Sequence, residues 1–179
     1  MAAVSDEIHN PRTGQRMRFL PPEPAGEDVL RIESVNPPGA SFEPTHVHPR
    51  QESRARAISG ELVFVVDGNE RRIGPGEEIV IPAGVPHTFR NADDADALSV
   101  QEFRPALRIE GFFRTYFALA ERGELGEAGM PSLLRLAVLV PEYSDEIRAT
   151  KPPWWVQRTT FALLRPIARL RGYSVAGLR

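Results

Sequence analysis

From residue 5 to about 104 the chain is cut into apolar runs too short for helices, and no other feature of the sequence constrains the fold as tightly. The runs are RMRFL, VLRIESV, LVFVV, EEIVIP, HTFR and LSVQEF. Between them lie Asn10-Pro11 with Gly14, Pro37-Pro38-Gly39, Asp67-Gly68-Asn69, Gly74-Pro75-Gly76, and Asn91 with Asp93-Asp94. Glycine supplies positive φ, proline presets φ and removes a donor, and Asn or Asp side chains bond their own backbone, so each break is a turn with a mechanism. Closely spaced strands of this kind make a sandwich or a barrel. After Pro105 the punctuation thins. Phe112, Phe113, Tyr116, Phe117 and Ala120 fall on one helical stripe that ends near Gly123, and PSLLRLAVLVPEY opens with a proline suited to a first turn. In the last segment Val156, Phe161, Leu164, Ile167 and Leu170 form a stripe with arginines interleaved, which Pro166 should kink or split. The reading is a β-domain over residues 1–104 and a helical extension over 105–179 that packs on it.

Which chemistry such a scaffold can carry is narrowed by what is missing. The chain has no cysteine, which excludes disulfides, thiolate metal sites and cysteine nucleophiles and leaves histidine and carboxylate for any metal. His46 and His48 are separated by one residue, so in a strand both imidazoles leave the same face. His87 follows about forty residues later, and a third imidazole from a neighbouring strand completes a facial nitrogen set suited to a divalent first-row metal. His9 lies apart and reads as a surface residue.

The spacing around these histidines carries a family resemblance. Gly76, Pro82, Gly84, His87 and Asn91 reproduce the second cupin motif (glycine, five residues, proline, one, glycine, two, histidine, three, asparagine). Gly39, His46, His48 and Gly60 resemble the first, and fifteen residues separate Gly60 from Gly76. Over roughly residues 30–104 the chain resembles a small single-domain cupin of the quercetin-dioxygenase-like kind. The resemblance implies a mainly β protein, a jelly-roll-like cupin β-barrel followed by a C-terminal α-helical extension. It also implies a mononuclear site at His46, His48 and His87 for iron, manganese, nickel or zinc, and a homodimer. The local physics agrees: Gly76 ends a tight turn, Pro82 closes a strand where no donor is needed, Gly84 permits the turn before His87, and Asn91 can cap the next turn.

The family's fourth ligand, a glutamate, is displaced. Counting back from Gly60 its position falls on Ser53, although Glu52 is the residue with the acid. Strand register decides between them. Turning Glu52 inward would also turn Arg54 and Arg56 inward, and burying unpaired guanidinium groups costs several kcal/mol each. Turning Ser53 inward brings Ala55 and Ala57 with it and leaves the charges on the wet face. Glu52 is therefore expected outside, with Ser53 in the acid's place. Three small side chains on this strand predict a wider cavity beside the histidines, in competition with filling by Phe64, Phe89 or the helices. Glu102 in VQEF is a compensating carboxylate if its face is inward.

A neutral ligand set leaves the metal's charge uncompensated, which favours an anionic or oxygen-rich small-molecule ligand. The expected activity is that of a metal-dependent dioxygenase or isomerase, the alternative a non-catalytic ligand-binding cupin. The formal charge is −2, and residues 151–179 hold six cations and no acid, leaving −8 on the remainder. Trp154, Trp155 and these arginines invite a membrane-surface reading, but a stripe packed on the barrel with a solvated basic rim fits better. No nucleic-acid or membrane partner is expected. MAAVSDEIHNP carries early acids and no apolar run, so the expected location is cytoplasmic.

Overall fold

A computed structural model describes residues 6–21, 28–39 and 44–175. In chain order the strands are β1 (Glu7–His9), β2 (Arg16–Phe19), β3 (Leu30–Asn36), β4 (His46–Val47), β5 (Glu52–Ser59), β6 (Leu62–Val66), β7 (Asn69–Ile73), β8 (Glu78–Ile81), β9 (His87–Asn91), β10 (Ala97–Arg104) and β11 (Arg148–Ala149). The helices are α1 (Ile109–Glu121), α2 (Leu133–Glu142) and α3 (Trp154–Leu170). One sheet has the order β1-β2-β3-β10-β5-β8 and the other β11-β4-β9-β6-β7, with antiparallel pairing in both. Each run expected as a strand is one. The expectation missed β1, β7 and β11, because β7 is a polar edge strand with only Ile73 buried, and β1 and β11 are too short to show a period.

The interior follows the period of two. Ala55 and Ala57 of β5, Leu62 and Phe64 of β6, Ile79 and Ile81 of β8, and Phe89 of β9 point between the sheets and form one apolar cluster. Phe64 and Phe89 stack, their ring centroids 5.4 Å apart. The β6–β7 hairpin turns at Asp67 and Gly68, both at positive φ (48° and 77°), as a two-residue turn matching strand twist requires. Asn91 closes the next turn with its side chain, accepting from the Asp93 amide at 2.9 Å and donating to the Ala95 carbonyl at 2.7 Å. Gly60, between β5 and β6, is the least replaceable turn residue. Its φ is +75°, and a Cβ there would sit 2.7 Å from the Ala97 Cβ. Gly60→Ala is expected to cost about 2 kcal/mol, lowering the melting temperature by roughly 4–8 °C. Gly68→Ala, where nothing lies within 4 Å, should cost less in the same thermal scan.

The helices extend this core. Ile109, Phe113 and Phe117 of α1 pack with Met17, Phe19, Ile32 and Phe103, covering the inner face of β2, β3 and β10. α1 stops at Glu121 with Gly123 at φ 66° beyond it. Two expectations are corrected. Pro131 does not occupy the first turn of α2; it precedes Ser132, whose hydroxyl caps the helix by accepting from the Arg135 amide. α3 is also not split at Pro166. Ala162 and Pro166 lie on its exposed side, where water can satisfy the carbonyl that a proline leaves unpaired. The buried face of α3 is Gln157, Phe161 and Ala168, with Leu164 partly buried, while Ile167 and Leu170, expected in the packed stripe, are exposed. Among the described residues no helix is long and apolar enough to cross a membrane.

Candidate metal centre

His46 opens β4 and pairs with His87, the first residue of β9. His48 follows β4 on the same face, two residues from His46. All three imidazoles are buried. Ring centroids lie 4.4 Å apart for His46 and His87, 5.0 Å for His46 and His48, and 5.2 Å for His48 and His87. One ring nitrogen from each lies within 4.8 Å of the others, so the cluster could hold a metal ion. His9 is exposed on β1, far from this chemistry in sequence and burial.

Each ring is held by the same device. Nδ1 of His46 donates to the Pro44 carbonyl at 3.0 Å, that of His87 to Val85 at 2.9 Å, and that of His48 to Glu146 at 2.7 Å. A carbonyl can only accept, so these contacts place the ring proton on Nδ1 and leave Nε2 as the basic nitrogen of each ring. Outer hydrogen bonds of this type orient metal-binding histidines and raise their basicity toward the ion. Burial lowers His46 to about 4 against the opposing effect of its bond to Pro44. Burial, then repulsion from His46 and His87, pushes His48 well below the ordinary value of 6.5. Neutral imidazoles are what a divalent metal requires, and the donor set fits one.

These shifts fix a pH dependence for the metal-free protein. In the unfolded chain a histidine takes up a proton near 6.5, whereas folded His46 does not until about 4. Between those values the unfolded state binds more protons, so acidification favours unfolding. Stability should fall by roughly 3 kcal/mol from His46 alone as pH drops from 7 to 4, read as a falling urea midpoint. His48 adds a loss of the same sign.

The carboxylates lie elsewhere. On β5 the inward residues are Ser53, Ala55 and Ala57, and Glu52 sits on the outer face 3.9 Å from Arg54. On β10 the inward residues are Ala97, Ser99, Gln101 and Phe103. Glu102 therefore faces outward, 3.3 Å from Arg31 and 3.1 Å from Arg104, which corrects its candidacy as a compensating ligand. The expected wide space beside the small residues is also corrected. Only about 30 Å³ remains there, bounded by Ser53, Ala55, Phe64, Phe89, Gln101 and Phe103 around the histidines. Rings from the facing sheet occupy the volume that the alanines vacate, and Ala57 lies deeper in the core.

A roomier cavity also borders His46. About 300 Å³ lies between β2, the β4 edge and the helical extension, lined by Met17, His46, Phe113, Leu136, Tyr143 and Phe161 among others. His46 and Phe113 border both spaces. The extension also reaches the ligands directly. β11 pairs with β4 so that Ala149 lies opposite His46, and the Thr150 hydroxyl donates to the Thr45 carbonyl at 3.2 Å. Sequence reasoning placed none of Glu146, Phe113, Gln101 or β11 at the site. Only Phe113, on the α1 stripe, carried a signal in the sequence.

Residues 33–100, the segment that holds all three histidines, match the family described as the cupin domain. The dimethylsulfoniopropionate lyase DddQ of Ruegeria pomeroyi is 35% identical over 71 residues, which is 39% of this chain. The match spans only 35% of that relative's length. Among solved structures, an RmlC-like cupin from Shewanella frigidimarina is similar at 19% identity and a TM-score of 0.49, over 57% of this chain and 86% of that one. A cupin-superfamily sugar phosphate isomerase from Silicibacter pomeroyi is similar at 27% identity and a TM-score of 0.45, over 50% and 59%. KdgF from a Halomonas species is similar at 23% identity and a TM-score of 0.44, over 50% and 77%.

Proposed function

The chain carries a cupin domain over residues 33–100, and from that premise we propose that His46, His48 and His87 hold one divalent transition metal beside which a small organic molecule binds. The observation that carries this reading is the common Nδ1-to-carbonyl bond of all three rings, which leaves three basic nitrogens in one buried cluster. Iron, manganese, nickel and zinc all suit imidazole donors. A bound metal would supply Lewis acidity or oxygen activation, the basis of an isomerase or dioxygenase. The chain's own residues do the rest. Three neutral imidazoles add no negative charge, so the site favours an anionic or oxygen-rich ligand. Phe103 and Phe113 line the space beside the histidines with apolar rings, and Ser53 and Gln101 offer polar atoms there.

Ser53 at the place of the usual acid favours a second reading, a ligand-binding cupin that holds metal weakly and does no chemistry. The similarity to DddQ adds a lyase arm to any assay, with dimethylsulfoniopropionate as probe. A cytoplasmic homodimer belongs to the proposal as part of the cupin resemblance. Metal analysis of untagged protein tests the site. About one equivalent of transition metal is expected, and less than about a tenth after reconstitution with each of the four metals would sink the reading. Oxygen uptake against enols and thiols then separates the dioxygenase from the binder.

A further inference from the structure

The 300 Å³ cavity beneath the helices has no part in holding the histidines, yet it begins at one of them. It lies at the lower end of the range of small-molecule sites, which are mostly apolar with a few placed polar groups. Its walls fit that description: Phe112, Tyr116, Leu136, Leu139, Val140 and Phe161 supply apolar surface from all three helices. Polar groups gather at the side where β4 meets β11. His46, Arg148 and Lys151 border the cavity there. The Arg148 guanidinium is committed, donating to the Ser144 carbonyl and lying 4.3 Å over the Trp154 ring. Lys151 has no hydrogen-bond or ion-pair partner among the described residues and stays exposed.

We propose that this cavity is the specificity pocket for the body of the ligand, and that the ligand is an apolar carboxylic acid. Its hydrocarbon part lies among α1, α2 and α3, and its carboxylate points to His46. The orientation toward His46 rests on the metal reading, since a neutral imidazole with a basic Nε2 attracts a carboxylate only when it holds a cation, whereas a carboxylate turned to Lys151 would bind alike with and without metal. The occupancy of the cavity does not. A polar acid, even one of greater charge, would leave the apolar walls unmatched, so length and apolarity of the body should set affinity more than charge does.

Octanoate is the probe, with succinate as a polar anion for comparison, titrated calorimetrically into metal-loaded and metal-free protein. Octanoate should bind at least tenfold more tightly than succinate to both forms, and at least tenfold more tightly to the loaded form than to the metal-free one. Leu136→Trp, which places an indole in the cavity from a half-buried position, should weaken octanoate at least tenfold with an unchanged circular dichroism spectrum. Val140→Phe is the second, smaller filling should Leu136→Trp not fold. Equal affinity for octanoate and succinate, or octanoate binding untouched by a folded filling variant, overturns the pocket. Octanoate binding equally to both forms overturns the orientation. Protein that never takes up metal sinks the metal site and the orientation, while octanoate, succinate and the filling variants still decide the pocket in the metal-free form.

Discussion

Replacing His87 with alanine should abolish the rise in melting temperature that transition metal gives the wild-type protein. A ligand that binds only the folded state stabilises it by about 2.7 kcal/mol at a hundredfold excess over its dissociation constant. For a domain of this size that is a rise of roughly 5–10 °C. His87 stands on β9 opposite His46, so its removal takes one nitrogen from the set without touching β4 itself. Loss of an outer hydrogen bond to a metal ligand costs about 10–100-fold in affinity, and loss of the ligand should cost at least ~100-fold. The metal-free variant should melt close to the metal-free wild type, because removing a buried imidazole also removes a polar group that is expensive to bury. A metal-dependent rise retained in His87→Ala would mean that the ion sits elsewhere.

Much of this site was legible because charge and period act together on a strand. Arg54 and Arg56 could not be buried, which was enough to fix the face of Ser53, Ala55 and Ala57 from the amino-acid order alone. The motif around Gly76, Gly84 and His87 was legible for a related reason, since each glycine stands where the backbone takes positive φ. Parity on β10 was not legible. It depends on pairing with β5, where the register shifts between Leu98 and Ser99, and an irregularity in pairing leaves no mark in an alternating strand.

Volume was misjudged for a different reason. Three small side chains in succession suggested space, but space belongs to both sheets, and Phe64 and Phe89 come from the facing one. The space beneath the helices is lined from α1, α2 and α3, of which only the first and third showed an apolar stripe in the sequence, and nothing there signalled the gap between them. The hold of the extension on the histidines was hidden too. β11 is two residues long, and the contact of His48 with Glu146 joins positions nearly a hundred residues apart.

That contact makes Glu146 the position where the extension and the candidate centre can be separated by experiment. Its main-chain carbonyl accepts from His48 Nδ1 at 2.7 Å, and its buried side chain holds the main chain in place. The carboxylate accepts from the Arg108 amide at 3.2 Å and from Arg108 Nε at 3.3 Å, while the Arg108 guanidinium also reaches Glu142 at 3.0 Å. Glu146→Ala leaves the carbonyl in the sequence but removes what fixes its direction, so His48 loses its enforced tautomer. Breaking a fully buried pair costs about 3–5 kcal/mol, but Arg108 is more than half exposed, which reduces the expected loss of stability to about 2 kcal/mol. Metal affinity should fall by about 10–100-fold, the usual effect of losing an outer partner. Glu146→Gln keeps an acceptor for Arg108 and should fall between the two proteins in both measurements. Competition titration with a chromophoric chelator reads the affinity, and urea denaturation reads the stability. Wild-type metal affinity in a destabilised Glu146→Ala would make the extension a cover over the barrel with no hold on its histidines.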